Sequence, residues 1–143
     1  MARRERASLR ARRLALLALF EAEFPPQKAE TAVERLAADW EVEPAVLEHA
    51  RAIVTGVVRR QVALDAEIAA RAPRIPVAEL GRVERSILRS ALFEVLYSAA
   101  IPSGGTIRDA VSLARTYAGD SAARLVGGVL RGVARPAPEG DEG

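Results

Sequence analysis

The chain predicts an all-α protein, on three observations. Apolar residues recur at three- and four-residue steps rather than alternating, which is the period of a helix face. The hydrophobic residues are mainly Ala, Leu, Val and Ile, with only Phe20, Phe24, Trp40, Phe93, Tyr97 and Tyr117 as aromatics, a mixture that favours helix over strand. Pro and Gly fall between the periodic stretches, where helices stop. One domain is the expectation for 143 residues. Residues 1–7 read as a flexible Arg-rich N-terminal arm, 8–135 as a single helical domain, and 136–143 as a disordered acidic tail carrying Glu139, Asp141 and Glu142.

The first helix is predicted from near Ser8 to Glu23. Its middle, Leu14–Phe20, is apolar almost all round and should be buried. Pro25-Pro26 ends it, because proline has no amide hydrogen and restricts the residue before it. A second helix, about Lys28–Asp39, puts Ala29, Val33, Leu36, Ala37 and Trp40 on one stripe. Pro44 suits the first turn of a long third helix. Its stripe holds Leu47, Ala50, Ile53, Val54, Val57, Val58, Leu64 and Ile68, with Gln61 as a polar exception that needs a partner or an exposed edge.

Pro73 and Pro76 close that helix, and a short turn at Val77–Leu80 leads to a fourth major helix, about Val83–Ser98. There Val83, Ile87, Leu88, Ala91, Leu92, Val95 and Leu96 form an inner face, and Arg85 and Arg89 an outer one. After a Pro-Ser-Gly-Gly turn, Thr106 is predicted as N-cap, with Asp109 reaching back as in a capping box. Ile107, Ala110, Val111, Ala114 and Tyr117 make the stripe of that helix. Gly119 suits a left-handed C-cap, and Asp120 or Ser121 can cap a last helix, about Ala122–Val133. Gly127-Gly128 inside it predicts close helix packing, since each Gly costs about 1 kcal/mol relative to Ala.

Composition narrows the function. Without cysteine there is no disulfide framework and no thiolate metal site. His49 is the single histidine, which removes most acid–base and zinc constellations. It reads as structural, no cofactor or metal is expected, and the chain is not expected to be an enzyme. No apolar run approaches a membrane span and no signal-peptide core is present, so a cytoplasmic protein is expected. The formal net charge is only +2, yet Arg3, Arg4, Arg6, Arg10, Arg12 and Arg13 crowd the first thirteen residues against Glu5. Such a cluster is an electrostatic footprint for a polyanion.

Three blocks add identity to periodicity: RARRLALLALFEAEF (Arg10–Phe24), GRVERSILRSALFEVL (Gly81–Leu96), and Ile101-Pro102 through TIRDAVSLARTY to LVGGVLRG (Leu125–Gly132). In order, spacing and length they resemble the NusB family, over about Leu9–Val133. The resemblance implies a NusB-like fold of about seven helices in two packed helical subdomains. It also implies a transcription antitermination factor that binds the single-stranded boxA element of rRNA leader RNA with ribosomal protein NusE, within the antitermination complex of RNA polymerase. The chain departs from the family pattern at Leu125 (an aromatic in the family), Gly127 (Asn), Ile75 (Trp) and Arg13 (an acid).

The site expected from this resemblance is Arg10, Arg12, Arg13, Phe20 and Arg124 for RNA, with Asp120 modulating affinity. Arginines neutralise phosphates without reading sequence, and an aromatic such as Phe20 stacks on an unpaired base. Arg10 and Arg13 can share a helix face; Arg12 has the alternative of pairing with an acid inside the fold. Arg85, Arg89 and Glu94 are read as intramolecular bridges. A non-catalytic scaffold for protein–protein or homodimer contacts is the alternative function, and monomer or homodimer stays open.

Overall fold

In the computed structural model, which describes residues 5–98 and 103–134, helices are separated near the expected breaks, except that Ser103, Gly104 and Gly105 of the expected turn belong to a helix. α1 is Ala7–Glu21, α2 Ala29–Trp40, α3 Pro44–Arg71, α4 Arg82–Tyr97, α5 Ser103–Ala118 and α6 Asp120–Ala134, with one 3-10 turn at Val77–Glu79. These six α-helices and the turn match the expected number, and no strand occurs among the described residues.

The helices pack as two trios in contact. α1, α2 and α3 touch one another, as do α4, α5 and α6, and α1 and α3 both pack on α4. The Ala-rich α1 lies at the join: Ala11, Leu14, Ala15, Leu16, Ala18 and Leu19 are buried. Its small side chains let neighbouring helices approach closely. Burial of the aliphatic stripes supplies the driving force, about 25 cal/mol per Å² of apolar surface.

Several expectations need correction. α3 leaves helical geometry at Arg60 (φ −115°, ψ 20°). Leu64 and Ile68 beyond that break are fully buried, whereas Val58 is 42% exposed, and Gln61 sits on the exposed edge. Thr106 is no N-cap: α5 starts at Ser103, and Thr106 and Asp109 are both buried inside the helix. Arg85 and Arg89 do not point outward. Arg85 Nη2 donates to Glu23 Oε1 at 2.6 Å and Nη1 reaches the Leu80 carbonyl at 3.3 Å. Arg89 grips Asp65 through Nε and Nη2 at 2.7 and 2.9 Å. Their reading as intramolecular bridges stands.

Gly119 is left-handed, φ 96°, as foreseen, but α6 starts at Asp120 itself. A Cβ on Gly128 would meet nothing within 4 Å, and one on Gly127 only the Arg131 side chain. That pair therefore does not mark close packing. The close approach is at Gly56, where a Cβ would lie 2.1 Å from the Phe93 ring. Of the expected arm, Glu5 and Arg6 are tied to Arg13 and Asp109, and Ala7 already belongs to α1. Residues 1–4, the Ile-Pro of 101–102 and the tail 136–143 lie outside the described residues.

Candidate nucleic-acid interface

The N-terminal half of α1 carries three arginines in four positions, and the fold sends each a different way. Arg12 turns inward. Its Nε donates to Glu94 Oε1 at 2.9 Å, Nη1 to Asp109 Oδ2 at 2.7 Å, and Nη2 to Thr106 Oγ1 at 3.1 Å and Glu94 Oε2 at 3.3 Å. Only 8% of its side chain is exposed. The expectation that Arg12 binds RNA is corrected: every guanidinium nitrogen is spent inside the fold, on the alternative the sequence allowed. Burial opposes the charge, but Glu94 and Asp109 outweigh it and hold the Arg12 pKa above its ordinary value.

Asp109 shows the same balance from the acid side. Burial alone would raise its carboxyl, yet hydrogen bonds from Arg6 and Arg12 hold it below the usual carboxylate range. His49 Nε2 lies 3.0 Å from Glu94 Oε2, so the lone histidine joins this structural cluster. No His/Cys/Asp/Glu group among the described residues could hold a metal ion.

Arg10 and Arg13 remain at the surface but diverge. Arg10 turns to α2, with its guanidinium carbon 5.5 Å from the Trp40 ring centroid and Nη2 donating to the Trp40 carbonyl at 3.0 Å. Arg13 turns to α5, 5.7 Å from the Tyr117 ring centroid, with Nη1 donating to the Tyr117 hydroxyl at 2.9 Å. A hydrogen bond to Glu5 is the main reason its pKa is raised. Each cation lies within cation–π range of an aromatic ring and is fixed there by a hydrogen bond to the same residue. Periodicity placed Tyr117 in the α5 stripe, yet it is 39% exposed.

Where α5 lies beside α1, more positive charge gathers. Arg108 and Arg115, two turns apart and so on one face of α5, have 65% and 59% of their side chains exposed. Arg6 is half exposed. Arg6 belongs to the basic cluster read from sequence, whereas Arg108 and Arg115 were not singled out; their seven-residue spacing was the available signal. Asp120, 75% exposed, accepts from Arg115 Nε at 3.2 Å. Arg124, one turn further along α6, is exposed and among the described residues donates to Ser121 Oγ at 3.4 Å. The fold thus sets Arg13 on Tyr117 near the end of α5, with Asp120 and Arg124 on the first turns of α6, while Arg10 faces Trp40 of α2.

Phe20 is not with them. It lies seven residues beyond Arg13, about 10 Å along the helix, half-buried and edge-on to Phe24 with ring centroids 5.4 Å apart. Phe24 is 44% exposed, and the Arg82 guanidinium sits 4.7 Å over its ring. This is a second, more apolar surface at the other end of α1.

Residues 9–135 match the NusB family. A transcription antitermination protein NusB of Exiguobacterium is 37% identical over 120 residues, covering 84% of this chain and 91% of that protein. One of Rubrobacter xylanophilus is 35% identical over 123 residues, covering 85% and 86%. Among solved structures, T. maritima NusB superposes with a TM-score of 0.83 at 26% identity, covering 98% of this chain and 99% of that one. A crystal structure of the antitermination factors NusB and NusE in complex with double-stranded RNA gives a TM-score of 0.82 at 24% identity, covering 92% and 98%; at that identity it speaks for the fold.

Proposed function

The chain belongs to the NusB family, and on that premise we propose that it is a non-catalytic, cytoplasmic antitermination factor that binds single-stranded boxA RNA of rRNA leaders jointly with NusE, within the antitermination complex of RNA polymerase. The observation that carries this reading is the set of exposed arginines along α1 and α5, Arg6, Arg13, Arg108 and Arg115, with Arg10 on the α2 side of α1 and Arg124 at the start of α6. Phosphates of a flexible strand need fixed, exposed cations; Arg6, Arg13, Arg108 and Arg115 each also meet an acid, and of those acids Asp120 is the most exposed. Asp120 is the one exposed carboxylate paired into the group, the place from which a negative charge tempers affinity.

Phe20 is reassigned in this proposal. With Phe24 and Arg82 it suits a protein partner better than a base, because it stands two turns from the arginines and its edge is already packed. The wider set of exposed apolar side chains (Phe24, Val58, Val62, Leu96) is the observation that favours the second reading, a scaffold or homodimer without RNA specificity of its own.

One titration separates the two. Labelled boxA RNA is titrated with the protein, alone and with NusE, at several salt concentrations. The RNA reading expects tighter binding with NusE and a log–log salt slope of about −0.7 per neutralised phosphate. Equal binding to a scrambled RNA under both conditions rejects it. Unchanged RNA binding by a folded Arg10→Ala, Arg13→Ala double variant favours the scaffold.

A further inference from the structure

The two sides of α6 differ in kind. Ala122, Ala123, Val126, Val129 and Leu130 are buried against the core, whereas Arg124, Gly128, Arg131 and Gly132 on the other side are exposed. Steps of three and four residues put Arg124, Gly128 and Arg131 on one lane of the helix. That lane is bare, since a Cβ on Gly128 or on Gly132 would meet nothing within 4 Å. Neither arginine meets a carboxylate among the described residues. Arg124 donates to the Ser121 hydroxyl. Arg131 lies back along its own helix, with Nη1 3.0 Å from where a Cβ of Gly127 would stand. Asp120, the acid at the start of α6, is engaged by Arg115. Two cations thus share an uncovered, glycine-rich helix face without an anion.

We propose that this face is the docking lane of the chain's own acidic end: Glu139, Asp141 and Glu142 pair with Arg131 and Arg124, and so compete with any other polyanion for them. The docking stands apart from the RNA reading; the competition with RNA rests on it. Charge complementarity argues for the occupant, because residues 135–143 carry three acids against the single Arg135. Reach argues for it too. α6 ends at Ala134, about 4.5 Å along the axis from Arg131 and about 15 Å from Arg124. Glu139 and Glu142 follow Ala134 by five and eight residues, so an extended chain carries them up to roughly 17 and 27 Å. That covers both arginines. Pro136 and Pro138 have no amide hydrogen with which to prolong α6, and the missing side chains at Gly128 and Gly132 leave room for a chain to lie close. Tethering holds the acids at an effective concentration on the order of millimolar, so exposed pairs too weak to hold a free peptide suffice here. Being exposed, they are screened by salt. The tail is therefore a low-salt brake on anion binding.

The test uses the whole chain and a variant carrying Glu139→Gln, Asp141→Asn and Glu142→Gln, all outside the helices. Arginine Nε–H and glycine amide signals are compared by NMR without RNA. Arg124, Gly128 and Arg131 should shift between the two proteins at low salt, independently of protein concentration, and the differences should vanish at about 1 M salt. Unshifted α6 signals, or shifts confined to arginines of α1 and α5, overturn the docking. Shifts that grow with protein concentration overturn it as well, since the tail then pairs with a second copy. A second measurement follows binding of a short single-stranded boxA RNA by fluorescence anisotropy. The neutralised variant should bind about threefold more tightly at low salt, the fraction released from the closed form, and equally at high salt. Arg124→Gln, Arg131→Gln in both backgrounds should abolish that difference. A gain that persists without the two arginines overturns the competition, because it then reflects net charge alone. Failure of the wild-type protein to bind RNA removes the RNA reading, and the NMR comparison still decides the docking.

Discussion

Arg12 on α1 and Glu94 on α4, 82 positions apart in the chain, face each other through two parallel contacts of 2.9 and 3.3 Å between guanidinium and carboxylate. With Asp109 of α5 they form a buried ion cluster where the two helical trios meet. Removing one member strands the others in a site from which water is excluded.

Arg12→Met should therefore cost about 3–5 kcal/mol, read as a lowered urea midpoint with little change in slope. Arg10→Ala and Arg13→Ala should each stay within about 1 kcal/mol of wild type. Comparable losses in all three would contradict the assignment of Arg12 to the interior. It also follows that an RNA-binding test must leave Arg12 in place, since replacing it confounds affinity with folding.

Stability should depend on acid through Asp109. Its folded pKa lies below the ordinary value of 3.8, so its contribution is fully present above that value and is lost as pH falls through the folded pKa. Denaturant titrations from neutral pH down to about pH 2 should show wild type losing stability below about pH 4. Asp109→Asn should be less stable at neutral pH and flatter in that acid window. An identical acid limb in both proteins would refute the linkage.

Gly56 meets the Phe93 ring too closely for any side chain. A Gly→Ala change in a helix ordinarily gains about 1 kcal/mol, but overpacking costs about 1–3 kcal/mol, and a 2.1 Å approach lies far inside contact distance. Gly56→Ala should be net destabilising, by calorimetry, and Phe93→Leu in the same chain should recover much of the loss. A stabilised single variant would show that the ring has room to move.

Asp120→Asn should strengthen RNA binding modestly at low salt, because it frees Arg115 from an acid partner and removes a charge that repels phosphate. The gain should shrink as salt rises, since both groups are exposed and screened. A salt-independent gain would point to a different cause.

The elements of this fold were legible because each boundary is a local matter. Pro25-Pro26, Pro44, Pro73 and Gly119 fix where helices stop and start through their own backbone limits, and Gly119 takes the left-handed conformation expected of it. Aliphatic periodicity likewise marked the buried sides of α1 and α2 and most of those of α3 and α4, where Leu64 and Ile68 are buried as expected but Val58 and Leu96 are exposed. Arg85, Arg89 and Glu94 were recognisable as bridging residues from helical spacing beside a core stripe, though not the direction in which they point.

The roles of Arg10, Arg12 and Arg13 were not legible in the same way. All three are arginines within one turn, and helical phase alone leaves each at or near the surface. Glu94 and Asp109, arriving from α4 and α5, draw Arg12 inward, while Trp40 and Tyr117 hold its two neighbours outside. Thr106 and Asp109 were misjudged for the same reason, since a buried guanidinium claims them before any helix cap can. The helices and the place where positive charge concentrates can be read along the chain, because both depend on sequence neighbours. Which cations face solvent follows from how distant helices pack, because a charge takes its role from whatever remote group removes or leaves the water around it.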